Sequence, residues 1–76
     1  MPTADTYRGP TLTLRIERLC RLVDEVRLYC LGSMRWRCLI EGEKQHEGNA
    51  ETAEGAFEEA LIAFLVDYPE LRERCT

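Results

Sequence analysis

The stretch Thr11–Leu31, TLTLRIERLCRLVDEVRLYCL, constrains the chain most. Leu12, Ile16, Leu19, Val23, Val26 and Cys30 recur at spacings of 4, 3, 4, 3 and 4. That is the seam of an amphipathic helix, with Glu17, Arg21, Asp24 and Glu25 on the opposite side. Gly32 follows where a left-handed residue would end such a helix. The spacing therefore predicts one long docking helix over 11–31. Residues 11–16 also alternate polar and apolar, so a short strand ahead of a helix starting near Glu17 is the competing assignment there.

A chain of 76 residues is near the lower limit for a self-sufficient core, and it leaves no room for a cofactor-binding subdomain. Residues 1–10, MPTADTYRGP, read as a flexible lead-in broken by proline and glycine, and 11–76 as a single domain. The lead-in has neither the basic start nor the apolar centre of a signal peptide. No apolar run approaches the roughly 18 residues of a membrane span. A cytoplasmic protein without a membrane anchor is the expectation, and in a reducing compartment disulfides would not persist.

After Gly32 the period changes to two. Met34, Trp36, Cys38 and Ile40 alternate with Arg35, Arg37, Leu39 and Glu41, a strand with one buried face and Trp36 as its anchor. Residues 44–50, KQHEGNA, return as a weak second strand, on which the lone histidine, His46, is expected at the surface. Thr52 precedes a second helix, Ala53 to about Tyr68, with Phe57, Ala60, Leu61, Phe64 and Tyr68 facing inward. Every residue from Ala60 to Val66 is apolar, which leaves Ile62 and Val66 pointing away from that side. Pro69 ends the helix ahead of a last turn, ELRERC. The expected fold is α+β: a small two-layer helix–strand–strand–helix domain, a β-hairpin packed on two helices, with a short C-terminal helical turn. An isolated hairpin is marginal, so edge pairing with a second copy, a homodimer, would stabilise it.

Catalytic motifs are absent from the sequence. It contains no glycine-rich phosphate loop, nucleophile elbow or H-E-x-x-H, and Glu58 and Glu59 diverge by about 100° on a helix. Ser33 is the only serine and His46 its only available base. Cys20, Cys30, Cys38 and Cys75 lack the paired spacing of zinc sites and read as structural thiols, two of them on or beside the helical seam. The residues thus point to a non-enzymatic protein-interaction module with no catalytic, cofactor or metal site.

Charge is segregated along the chain. Residues 1–40 carry seven arginines against four acids, whereas 41–59 carry seven glutamates against Lys44 alone. Two surfaces follow. An acidic face of Glu41, Glu43, Glu47, Glu51, Glu54, Glu58 and Glu59, with apolar Ile62 and Val66 at its edge, would occupy a basic groove on a protein partner. Alternatively, Arg15, Arg18, Arg35 and Arg37 would contact nucleic acid, although a net charge of −4 argues against direct binding. A structural homo-oligomer subunit is the third reading.

The segment MRWRCLIEG, then a polar turn, then AETAEGAFEEALIAFL, resembles the tryptophan-bearing strand and T-x-E-x-x-x-E-E-A-L helix of small phage-encoded proteins, anti-CRISPR proteins among them. It covers residues 34–65. Anti-CRISPR proteins share no common motif, so the resemblance carries over no site residue. It implies a short acidic protein in the host bacterial cytosol that binds a CRISPR–Cas effector subunit and blocks DNA recognition or nuclease recruitment.

Overall fold

The computed structural model describes residues 11–75; the 1–10 lead-in lies outside them. Helix α1 spans Leu12–Leu19, followed by strands β1 (Glu25–Gly32), β2 (Arg35–Glu41) and β3 (Gln45–Ala50). Helix α2 (Ala53–Asp67), a 3-10 turn (Pro69–Leu71) and the short helix α3 (Arg72–Cys75) complete the order. The fold is α+β with helices over one face of a three-stranded antiparallel sheet, ordered β1-β2-β3. It has one strand more than the expected hairpin.

The extra strand comes from the second half of the expected long helix. Helix α1 begins where Thr11 Oγ1 accepts the Leu14 amide at 3.2 Å, so within 11–16 Thr11 is the extended cap and 12–16 are helix. It ends at Leu19, and residues 20–24 turn the chain into β1. Val26 and Cys30 are four apart, a spacing that serves a helix seam and one face of a strand equally well. Leu28, between them, completes the strand face. Antiparallel pairing of Glu25–Cys30 with Glu41–Trp36 satisfies this backbone in place of helical bonds. Gly32 therefore ends a strand, with φ of 146° and a register shift beside it, and does not cap a helix.

Alternation places Val26, Leu28 and Cys30 of β1, Trp36, Cys38 and Ile40 of β2, and His46, Gly48 and Ala50 of β3 under the helices. Helix α2 is capped by Thr52, whose Oγ1 accepts the Gly55 amide at 3.0 Å. It buries Ala56, Phe57, Ala60, Leu61, Phe64 and Leu65 against β3 and β2. The contact is close because Gly48 has no side chain: a Cβ there would meet the Ala56 carbonyl and the Ala60 amide of α2. Pro69 opens the 3-10 turn, as its fixed φ and missing N–H allow, and Tyr68 is the helix cap.

Three expected placements change. Trp36 is half-buried at the margin, and Phe57 is the largest fully buried side chain. Cys20 and Cys30 are exposed, while Cys38 and Cys75 are buried, because the helical seam that would have covered the first pair is interrupted at Leu19. Burial pushes the Cys38 thiol up to about 11, so it stays protonated and packs as a small apolar group. His46 is buried, because alternation points it under α2 beside Ile40.

Candidate interaction surface

The outer side of α2 is the best-defined candidate. Ile62 is 63% exposed and Val66 75%, one turn apart on a helix whose other sides are packed. Glu58 and Glu59, one turn earlier, flank this ridge. Glu58 Oε2 accepts Arg15 Nη1 at 2.9 Å, which lowers the Glu58 pKa, and the same guanidinium lies 5.1 Å over the Phe57 ring. Glu59 Oε1 accepts the Asn49 amide at 3.2 Å. Glu54 is exposed in the first turn of α2 and Glu51 in the link before it.

The remaining acids of the expected face lie elsewhere. Glu41 and Glu47 project from the open face of the sheet, opposite the helices, and Glu43 sits in the β2–β3 turn. Glu47 Oε2 pairs with Arg37 at 3.1 Å and Glu41 accepts from Gln45 at 3.4 Å. The seven glutamates are thus divided between two sides of the domain. The four arginines are divided as well. Arg15 and Arg18 lie on α1 in the helical layer, and Arg35 and Arg37 lie on the open sheet face. Sequence proximity could not reveal this, because neighbouring residues of a strand point to opposite sides.

The open sheet face carries Glu25, Arg27 and Tyr29 of β1 next to Arg37, Leu39 and Glu41 of β2. Arg27 binds Glu25 through two nitrogens, at 2.7 and 3.1 Å, and donates to Tyr29 Oη at 3.3 Å. The hydrogen bond from Arg27 lowers the Glu25 pKa.

At the other end of the sheet, His46 Nε2 lies 2.6 Å from Asp67 Oδ2, tying β3 to the last turn of α2. The ring meets Phe64 and Tyr68 edge-on, at 5.5 and 6.1 Å between centroids. Its Nδ1 is buried without a hydrogen-bond partner. The fitting tautomer carries the proton on Nε2 and donates it to Asp67. Lys44 Nζ approaches the same carboxylate at 4.0 Å. A hollow of about 310 Å³ adjoins this cluster, bounded by Val23, Asp24, Glu43, Lys44 and Tyr68. Ser33 sits in the β1–β2 turn at the far end of β2, more than about 15 Å from His46 at 3.3 Å per residue, so the two do not form a dyad. Among the described residues no group of three or more His, Cys, Asp or Glu could hold a metal ion. No helix among them is long and apolar enough to cross a membrane.

The hydrogen bond from His46, helped by Lys44, lowers the Asp67 pKa, and the bond from Arg15 lowers that of Glu58. A carboxylate whose folded pKa is depressed stabilises the fold above its unfolded value and loses that contribution as pH falls through the folded one. Stability is therefore expected to fall as pH drops below 4.5 for Glu58 and then below 3.8 for Asp67, their ordinary values. Urea unfolding of wild type and Asp67→Asn at neutral pH and at about pH 3 checks this. The variant should show the shallower pH dependence, and equal slopes would refute the assignment to Asp67.

No protein family, curated protein or solved structure matches the chain.

Proposed function

We propose that the chain is a non-enzymatic protein-interaction module that engages a protein partner through the outer side of α2. The observation that supports this is the exposed Ile62–Val66 ridge. Large aliphatic side chains in solvent on consecutive turns forgo the stabilisation their burial would provide, and a partner surface supplies it. The flanking Glu54, Glu58 and Glu59 favour a partner that presents basic residues around an apolar contact, with charge steering the encounter. The other four glutamates contribute to the long-range field and not to this contact. The acidic N-terminal flank of the ridge also favours this reading over direct nucleic-acid binding, as does the pairing of Arg15 and Arg37 with Glu58 and Glu47.

The resemblance of residues 34–65 makes the specific form of this reading an anti-CRISPR inhibitor whose partner is a CRISPR–Cas effector subunit in a bacterial cytosol. The test is tagged capture from nuclease-treated lysate of a CRISPR-bearing bacterium, read by mass spectrometry, for wild type and the Ile62→Arg, Val66→Arg double variant. Both positions are solvent-facing, so the variant should keep stability within about 0.5 kcal/mol per site. Stoichiometric recovery of a Cas subunit by wild type, lost in the variant, is the expected result. Equal recovery by both would refute the α2 ridge, and recovery of no Cas subunit would refute the effector reading.

A further inference from the structure

The sheet order leaves β1 and β3 as edges, and the two edges differ in kind. On β3 the polar sequence QHEGNA lies against α2, and the Asn49 amide is taken by Glu59. Such a carboxylate blocks an incoming strand. On β1 the sequence EVRLYCLG has no proline or lysine, and among the described residues no element pairs with its outer side.

The phase of the ladder says which groups face out. Asn49 points its amide off the β3 edge, so its partner Arg37 bonds toward β1. The Glu41 carbonyl, two pairs further along, likewise accepts the Asp24 amide at 2.9 Å. Arg37, Leu39 and Glu41 thus bond to Tyr29, Arg27 and Glu25. Alternation then turns the N–H and C=O groups of Val26, Leu28 and Cys30 outward. The side chains of the same three residues lie on the helical face, where Val26 and Leu28 are only half-buried and Cys30 is exposed.

We propose that two copies of the chain pair β1 with β1, antiparallel, about a two-fold axis through Leu28, which joins two three-stranded sheets into one of six strands. In this register Leu28 faces Leu28, Val26 faces Cys30, and Arg27 faces Tyr29. Apolar meets apolar on the helical face. On the open face each guanidinium meets a phenol, a combination Arg27 and Tyr29 already make within one strand. Moving the axis to Arg27 would oppose two like charges. Moving it to Tyr29 would draw in the irregularity between Cys30 and Gly32. The axis runs perpendicular to the sheet, so both α2 ridges end on the same side. The pairing goes beyond the partner-binding reading and does not rest on it.

Sedimentation of the full chain under reducing conditions, from micromolar to submillimolar, should show a concentration-dependent dimer. Cys30→Pro removes one outward N–H, and proline is tolerated on a strand edge whose N–H faces solvent. It should be monomeric with an unchanged circular-dichroism spectrum. Val26→Cys provides a second reading that does not depend on that variant folding. Mild oxidation should link it to Cys30 of the second copy, because paired Cα atoms about 5.5 Å apart suit a disulfide. Within one strand the two positions are about 13 Å apart and cannot be bridged. Cleavage after Arg27 separates the two peptides for mass spectrometry. A monomer at every concentration would overturn the proposal, as would a dimer in which Val26→Cys links anywhere other than Cys30.

Discussion

Phe57→Ala is expected to destabilise the domain by about 4 kcal/mol, the range for emptying a buried phenylalanine site. Phe57 is the largest fully buried side chain and sits in the first half of α2, facing the sheet core. It also anchors α1, since Arg15 spans its ring to reach Glu58. Truncation therefore leaves a cavity and removes the ring that the Arg15 guanidinium covers. A domain of this length has about 0.05–0.15 kcal/mol per residue of net stability, so the loss consumes much of the total. Urea denaturation followed by Trp36 fluorescence and circular dichroism measures it. A loss under about 1 kcal/mol would mean that α2 is not docked through this side chain.

Gly48→Ala is expected to cost about 3 kcal/mol, the upper part of the range for overpacking. Most overpacked sites relax by turning a neighbouring side chain, but here the new methyl meets the backbone of α2 at Ala56 and Ala60 and the Cβ of Glu59. Backbone atoms cannot rotate aside, so the helix must lift from β3. Lifting it loosens the cover over Cys38 and Ile40 and weakens the Glu59–Asn49 bond beside it. The melting temperature should fall by more than about 10 °C in a domain of this size. An unchanged melting temperature would show that α2 does not approach the sheet this closely.

The legible and illegible parts of the chain separate along physical lines. Helix α2 was legible because its signals are local: Thr52 caps it, Pro69 stops it, and the apolar run between them has one assignment. Strand β2 was legible from its alternation, and β3 from its position after a turn. The segment 25–32 was not, since the spacing of Val26 and Cys30 fits both periods and only pairing with β2 chooses between them. The error spread to Cys20, Cys30 and Gly32, all placed by reference to a helix that ends at Leu19.

The candidate surface divides in the same way. The outward direction of Ile62 and Val66 follows from helical geometry once Phe57 and Phe64 face inward, so the ridge was readable before any contact was known. The grouping of charges was not. Glu47 and Glu59 are twelve positions apart in the chain, yet one faces the open sheet and the other the edge of β3 beside Asn49. His46 reads as a surface residue of a weak, polar strand, and its partner Asp67 is 21 positions away, which no local pattern records.

The sequence by itself determined where α2 starts and stops and which faces of α2 and β2 are apolar, because those depend on neighbours within one or two turns. Only the tertiary structure decided that β1 is a strand, that His46 is buried against Asp67, and that the glutamates and arginines each fall on two sides. Those outcomes depend on which segments meet across the sheet, and a ladder of interstrand hydrogen bonds can override a local helical pattern whenever both satisfy the backbone.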